Sequence, residues 1–366
     1  MAKINDYNFT VSSHQCLDEH ANVIGELPSW ASSLDNLLKA YRSMLYSRMF
    51  DDKAIKLQRT GLLRTYPPAI GQEAVGVGVG LAMHAADVFC SYYRDQSIQL
   101  LRGIHPEEIL RYWGGFEDGN NYQNPSRKYD LPVCVPIGTQ CLHAVGVAYA
   151  LKYKESNSVV VCSIGDGGTS QGDFYEAINA AAVWKLPLIF VVNNNRWAIS
   201  IPTEKQTAAQ TIAQKAIAAG MEGVVVDGND VMAVKAITDA AVEKARSGDG
   251  PTLIEAQTFR LCDHTTADDA TRYIPKNDRL EAEKKEPLIR LKKYLTKYHH
   301  WTEKQDKHLK AEIKDQVQQA ADNYLDIVNE PIGVTWDHLF ENLPVDLTEQ
   351  KQAWITRQQN KRGNHD

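Results

Sequence analysis

The stretch Gly165–Ser200, GDGGTSQGDFYEAINAAAVWKLPLIFVVNNNRWAIS, decides the fold of this chain. It follows a short apolar and β-branched run, Ser158–Ile164, which is typical of a buried parallel strand. The glycines predict a tight turn, Gly172–Trp184 predicts a helix, and Pro187–Val192 predicts a second strand. A strand, a helix and a strand in this order indicate a βαβ unit of a parallel sheet.

Asp166 and Asn195 each follow one of these two strands. Because the carboxyl ends of parallel strands share one edge of a sheet, where α/β proteins bind ligands, the two side chains are expected to meet in space. Mg²⁺ binds few protein oxygens together with ligand phosphates, and Gly167 and Gly168 allow backbone to approach a phosphate at a helix start. The pattern predicts a hard cation with a phosphate; the alternative is a turn and an Asn-rich loop without a ligand.

Composition limits the classes of function. The 366 residues are 43% hydrophobic, enough for one large α/β core with an appendage. The net charge of −6 comes without a basic stripe, which argues against nucleic acid as a partner. The six cysteines form no CxxC pair and are expected to be reduced core residues. We find no targeting peptide and no apolar run near the ~18 residues of a membrane span, so we expect a soluble, cytoplasmic protein without a membrane partner.

The chain divides into three parts on pattern. Residues 1–32 are predicted to form an N-terminal arm, residues 33–276 an α/β domain, and residues 277–366 a charged, amphipathic helical extension. Alternating strand and helix signals in the middle part predict a mostly parallel sheet with helices on both faces. The further strands are expected at Asp87–Ser91, Pro132–Ile137, Val224–Val226 and Thr252–Thr258.

The segment Gly71–His84 predicts a helix of small residues. Its Gly76-x-Gly78-x-Gly80 spacing is similar to a dinucleotide fingerprint, but the segment follows a Pro-Pro loop rather than a strand. Close helix packing is therefore the better interpretation of these glycines.

A set of motifs occurs in one order along the chain. They are GQEA (71–74), YRD (93–95), IGTQ (137–140), GDGGTSQGDFYE (165–176), NNNRWAIS (193–200) and HTTADDATRY (264–273). GDG followed about thirty residues later by NN resembles the thiamine diphosphate motif. Over residues 33–273 the ordered set resembles the alpha subunit of the decarboxylating component of 2-oxo-acid dehydrogenase complexes.

The resemblance implies a thiamine-diphosphate-binding fold and specific cofactor ligands. Asp166, Asn195 and the backbone oxygen of Trp197 would hold the Mg²⁺ that grips the diphosphate. Tyr93 and Arg94 would contact the diphosphate itself, an anion that a guanidinium can bind bidentately. The alternative for Arg94 is an ordinary surface salt bridge.

Further positions are implied around the cofactor. The backbone near Val135 and Ile137 would cradle the aminopyrimidine, although an apolar residue at a strand end is also simply core. His264 is the candidate for proton chemistry during acyl transfer, because histidine titrates near neutrality. Arg260 either adds positive charge toward the phosphates or pairs with Asp263.

The resemblance also implies thiamine-dependent oxidative decarboxylation, with transfer of the acyl group to a lipoyl arm on a partner acyltransferase. The substrate pocket would draw on Tyr66 and Gln72. GQEA, rather than the GEE-type sequence of branched-chain relatives, favours pyruvate. Thr265 stands where mitochondrial relatives carry a regulatory serine, which argues against control by a dedicated kinase.

These motifs contain no glutamate suited to activate the aminopyrimidine. In the family a beta subunit supplies it, so the resemblance implies an α₂β₂ assembly with the cofactor at the subunit interface. Gly76, Gly78 and Gly80 would then suit close contact between subunits.

Several alternative functions remain open from sequence. They are a branched-chain 2-oxo-acid or acetoin dehydrogenase subunit, a non-oxidative enzyme half of the transketolase type, a nucleotide-binding doubly wound protein, and a catalytically silent scaffold subunit.

Overall fold

The computed structural model describes residues 8–326, 333–337 and 339–362. Its strands are β1 Ser12–His14, β2 Val88–Tyr92, β3 Leu131–Cys134, β4 Val160–Gly165, β5 Leu188–Asn194, β6 Trp197–Ala198, β7 Ile201–Pro202, β8 Glu222–Asp227 and β9 Thr252–Gln257. Its α-helices are α1 Leu34–Arg59, α2 Glu73–Ala82, α3 Gln96–Leu101, α4 Pro106–Gly114, α5 Thr139–Tyr153, α6 Gly172–Val183, α7 Lys215–Ala219, α8 Val231–Arg246, α9 Lys276–Lys284, α10 Pro287–His299, α11 Glu303–Leu325 and α12 Val345–Arg362.

Seven of these strands form one sheet in the order β1-β8-β9-β5-β4-β2-β3, and every neighbouring pair in it is parallel. The predicted βαβ unit is present as β4, α6 and β5. In the register of β4 and β5, Gly165 lies opposite Asn193, so the chain leaves both strands at the same edge. The expected α/β fold with a mostly parallel sheet is confirmed.

The sheet is buried on both faces, as near-continuous apolar strands require. Because side chains alternate along a strand, Val161 and Ile189 join one core, with α1, α2 and α8. Val160 and Phe190 point the other way into a second core, with α5, α6 and α7. The two layers of helices hold the carboxyl ends of the strands in fixed positions.

Strand β1 lies in the segment predicted as an N-terminal arm, and it pairs with β8 at the edge of the sheet. Sequence analysis did not predict it, because three polar residues carry neither an apolar run nor an alternation. The buried Asp230 carboxylate fixes the chain that follows, accepting from the backbone N–H groups of Cys16 and Leu17 at 2.7 Å each. The boundaries at residues 32/33 and 276/277 remain predictions.

The glycines of α2 pack within this chain, which corrects the expectation of contact between subunits. A Cβ on Gly76 would lie 2.6 Å from the Ser97 side chain, and one on Gly78 would lie 2.6 Å from Val234. A Cβ on Gly80 would lie 3.0 Å from Leu101. The small residues therefore let α2 approach α3 and α8 closely, as the packing interpretation predicts.

The C-terminal extension is helical, as expected, and α10 and α11 pack against α1. The fully buried Asp306 carboxylate accepts from the Tyr41 hydroxyl at 2.7 Å and pairs with Lys292 and Lys310 at 2.8 and 3.0 Å. These partners, with the hydrogen bond from Lys292 foremost among them, outweigh burial and hold the pKa of Asp306 well below its usual range. The contact ties α11 to the α/β domain.

Over the described ranges, no helix is both long and apolar enough to cross a membrane.

Candidate cofactor-binding site

One cavity of about 500 Å³ opens at the carboxyl edge of the sheet, over the ends of β2, β4 and β5. Its walls come from both glycine- and asparagine-containing turns and from the segment 264–265. Of the residues predicted for the site, the following line it: Tyr93, Arg94, Val135, Ile137, Asp166, Gly167, Gly168, Asn195, Trp197 and His264. The fold thus gathers residues that are up to 171 positions apart in sequence.

Asp166 is a buried carboxylate, 4% exposed, that has no cation beside it. Its Oδ2 accepts hydrogen bonds from Thr203 Oγ1 at 3.1 Å and Gln206 Nε2 at 3.3 Å. No basic side chain among the described residues lies within ion-pairing distance of it. Burial raises its pKa. Since an uncompensated buried charge is costly, the position fits a cation.

Asn195 and Trp197 lie on one turn after β5. Asn195 Oδ1 accepts from the Trp197 backbone N–H at 3.2 Å, and the Trp197 carbonyl accepts from Arg260 Nη1 at 3.4 Å. Arg196 and Ile199 adopt positive φ angles of 72° and 54°, which are costly for residues other than glycine. The turn is therefore held in a defined shape, with Asn195 and Trp197 facing the same cavity as Asp166.

Two buried guanidinium groups lie beside the cavity without a carboxylate partner in the described parts of the chain. Arg94 donates to the carbonyls of Pro68 and His264 at 2.6 and 2.9 Å, and its buried Nε has no partner there. Arg260 donates to the Ile199 carbonyl at 2.8 Å and to the Tyr273 hydroxyl. Two guanidinium groups without a carboxylate at ion-pairing distance fit a multiply charged anion nearby.

The glycines of the turn leave no room for side chains. A Cβ on Gly167 would lie 2.4 Å from the Ala198 Cβ, and one on Gly168 would lie 2.7 Å from Ile164. The backbone of the turn after β4 therefore packs closely without side chains, and both glycines line the cavity, as the approach of a phosphate requires.

His264 lies between the two guanidinium groups. Its Nδ1 is 3.1 Å from Arg94 Nη2 and 3.4 Å from Arg260 Nη1, both of which can only donate. Nδ1 is therefore the acceptor and Nε2 carries the proton. Burial, followed by the charges of Arg94 and Arg260, lowers the pKa of His264 to about 3.

We expect His264 to stay neutral from pH 5 to pH 8. An unfolded histidine titrates near pH 6.5, so the folded state binds fewer protons, and this group reduces stability as pH falls from about 6.5 toward 3. NMR spectra of ¹⁵N-histidine-labelled protein, assigned by comparison with His264→Gln, should show an Nε2-protonated imidazole throughout that range. A titration midpoint between about pH 5.5 and 7.5 would contradict this.

Tyr66 and Gln72, predicted for the substrate pocket, do not line the cavity. Tyr66 is fully buried, and its hydroxyl donates to Asp51 Oδ1 at 2.6 Å. Its backbone N–H donates to Thr266 Oγ1 at 3.1 Å, so it supports the segment that carries His264. Arg260 also stands behind the wall, and Asp263 is not among its ion-pair partners; Asp263 pairs instead with Arg59 at 3.8 Å.

Sequence analysis missed several residues around the cavity. Thr203 and Gln206 hold the Asp166 carboxylate from 37 and 40 positions away, and no motif marks them. Trp113, Gln140 and Gln171 also line the cavity. The last two lie within the quoted motifs IGTQ and GDGGTSQGDFYE, so their place in those motifs was the available signal.

Comparison with known proteins assigns the chain to a family. Residues 41–326 match the family described as "Dehydrogenase E1 component". The chain belongs to this family. It is therefore a dehydrogenase component, and the E1 dehydrogenase family depends on thiamine diphosphate.

Individual relatives within the E1 family are similar over most of their length. "Pyruvate dehydrogenase E1 component subunit alpha" of Staphylococcus aureus is 38% identical over 358 residues, covering 96% of this chain and 95% of the relative. The protein of the same name from Acholeplasma laidlawii is 37% identical, covering 91% and 95%. "3-methyl-2-oxobutanoate dehydrogenase subunit alpha" of Mycobacterium tuberculosis is 43% identical over 295 residues, covering 79% and 80%.

Proposed function

We propose that this chain is the alpha subunit of a pyruvate dehydrogenase, which decarboxylates pyruvate oxidatively and passes the acetyl group to a lipoyl disulfide on a partner acyltransferase. The observation that supports it best is that a position suited to a cation and a position suited to an anion lie at one cavity. Among the described residues, no basic side chain pairs with the buried Asp166 carboxylate, and no carboxylate pairs with Arg94 or with Arg260, which lies behind the cavity wall. Mg²⁺ bound to a diphosphate satisfies both.

The residues divide the work of holding that cofactor. Asp166, Asn195 and the Trp197 carbonyl would hold Mg²⁺, since all three are oxygen ligands that face the cavity. Arg94, which lines the cavity, would bind diphosphate oxygens, as planar guanidinium groups do, and Arg260 would add positive charge from behind the wall. The chemistry that the cofactor supplies when bound is a nucleophilic carbon and an electron sink for decarboxylation.

The other predicted residues would shape the reacting end. Tyr93 would contact the diphosphate beside Gly167 and Gly168, while Val135 and Ile137, which line the cavity, would support the aminopyrimidine. His264 would act as a hydrogen-bond donor through Nε2 rather than as a cationic acid, because its pKa lies far below neutrality. Tyr66 would act from behind the wall, by holding the segment at Thr266.

The site would need a partner subunit. Asp166 is the one acidic residue that lines the cavity in the described ranges, so no second carboxylate is present to activate the aminopyrimidine. A beta subunit in an α₂β₂ assembly would supply it. A cytoplasmic location remains a prediction.

An exposed apolar surface indicates where that subunit would bind. On α5, Leu142, Tyr149 and Tyr153 are exposed, Tyr153 by 81%, and at the end of α6 so are Val183 and Trp184. The rings of Tyr149 and Trp184 lie 5.3 Å apart, so the two helices present one continuous face. Since exposed apolar patches of this kind mark interfaces, we place the beta subunit on this α5/α6 face.

Substrate preference would be measured with the chain co-expressed with its beta-type partner. Pyruvate and 3-methyl-2-oxobutanoate would be compared by kcat/KM with an artificial electron acceptor. The names of the Staphylococcus aureus and Acholeplasma laidlawii relatives support pyruvate as the substrate. The name of the more identical Mycobacterium tuberculosis relative supports the branched-chain acid as the second candidate. We expect kcat/KM to be about 10- to 200-fold higher for pyruvate, which is the range that a difference of one or two methyl groups in the substrate produces. A higher kcat/KM for the branched acid would make that acid the proposed substrate.

A further inference from the structure

Gln72 occupies a rigid turn directly behind the cavity. Gly71, before it, has φ +102°, and a Cβ there would lie 2.2 Å from the Phe259 carbonyl oxygen. Glu73, after it, is fully buried, accepts from the Gly71 backbone N–H at 3.0 Å and pairs with Arg48. Gln72 itself is 3% exposed and does not line the cavity. Its amide is thus held in place from both sides.

The amide of Gln72 has a fixed polarity. Its Nε2 lies 2.9 Å from the Tyr92 hydroxyl and 3.5 Å from the Arg94 carbonyl oxygen. A carbonyl can only accept, so the amide nitrogen faces Arg94 and the amide oxygen faces the other way. That oxygen accepts from Asn195 Nδ2 at 3.2 Å.

The amide of Asn195 is oriented from its other end as well. Its Oδ1 accepts from the Trp197 backbone N–H, a group that can only donate. Two backbone groups of fixed polarity therefore determine both amides, with Gln72 as the link between them. Without Gln72, the 3.2 Å contact with the Trp197 N–H alone would orient the Asn195 amide, and an amide that turned over would present N–H groups, which repel a cation, where its oxygen now lies.

We infer that Gln72 is a positioning residue for the metal ligand Asn195, rather than a residue that contacts the 2-oxo acid. This inference rests on the proposed magnesium and thiamine diphosphate function. Partners that orient metal ligands change metal affinity by about 10- to 100-fold when they are removed. Loss of Gln72 should therefore change the affinity for the metal more than it changes turnover.

The test is a Mg²⁺ titration of the assembled enzyme at a fixed, saturating concentration of thiamine diphosphate, followed by quenching of tryptophan fluorescence. Gln72→Leu removes the acceptor and should raise the Mg²⁺ concentration at half-saturation by about 10- to 100-fold. Gln72→Glu keeps an acceptor for Asn195 Nδ2 and should stay within about threefold of the wild type. With both cofactors saturating, the KM for pyruvate should change less than twofold in Gln72→Leu.

The matched control is Gln99→Leu. Gln99 is also buried and also donates from Nε2 to a tyrosine hydroxyl, that of Tyr122 at 3.2 Å, but it lies away from the cavity on α3. The Mg²⁺ concentration at half-saturation of the Gln99→Leu enzyme should equal that of the wild type. Should Gln72→Leu fail to fold, Gln72→Asn, which is too short to reach Asn195, should give a similar rise.

An unchanged Mg²⁺ requirement in the Gln72 variants, an equal rise in Gln99→Leu, or a rise confined to the KM for pyruvate would each overturn the inference. None of these outcomes affects the proposed function, which fails separately if the wild-type enzyme does not bind thiamine diphosphate with Mg²⁺.

Discussion

Asp166→Ala should abolish Mg²⁺-dependent binding of thiamine diphosphate to the assembled enzyme. The carboxylate is the single acidic group lining the cavity in the described chain, and the side chains that donate to it there are those of the neutral Thr203 and Gln206. Removing it takes away the one full negative charge that the described cavity lining offers to Mg²⁺. The affinity for thiamine diphosphate should therefore fall by more than about 100-fold. Asn195→Ala should act in the same direction. Calorimetric titration of the cofactor with and without Mg²⁺ measures both.

Asp173→Ala is the appropriate control for this experiment. Asp173 lies seven positions further on, in the first turn of α6, and does not line the cavity. Its variant should bind the cofactor normally. Unchanged affinity in both Asp166→Ala and Asn195→Ala would remove the basis of the metal site and of the proposed function with it.

The purified chain without a partner should show no decarboxylation of pyruvate. Its cavity offers no second carboxylate within the described ranges, and the neutral His264 cannot replace one. Activity, measured as release of CO₂ or reduction of an artificial acceptor, should appear only when the beta-type subunit is added. Appreciable turnover by the chain alone would show that the activating group lies within it.

The proposed α5/α6 face allows the same experiment to be made specific. Tyr149→Arg places a charge in the middle of the exposed apolar face and should prevent assembly and therefore turnover. Leu280→Arg alters a similarly exposed residue on α9, outside that face, and should assemble normally. Equal assembly of both variants would place the partner elsewhere on the chain.

Local patterns were sufficient to predict the centre of this fold. The run before Gly165 and the run before Asn193 are apolar and short, and both are buried strands in the structure. Since the carboxyl ends of neighbouring parallel strands must lie together, the meeting of Asp166 and Asn195 at one cavity followed from sequence alone.

Contacts between distant segments could not be predicted in this way. The pairing of β1 with β8 joins positions more than two hundred residues apart through three polar residues. Gln72 carries the same amide whether it lines a pocket or contacts another side chain, and only the positions of Arg94 and Asn195 distinguish the two. The same holds for Tyr66, whose hydroxyl is directed away from the cavity by the buried Asp51.

The position of the edge strand β1 affects how the chain folds during translation. Ser12 leaves the ribosome about 210 residues before its partner Val224. At the usual rates of about 5–20 residues per second, the nascent strand waits roughly 10–40 s before it can pair. During that interval its backbone N–H and C=O groups depend on water or on a chaperone, so this short segment is where slowed or hurried translation should first affect yield.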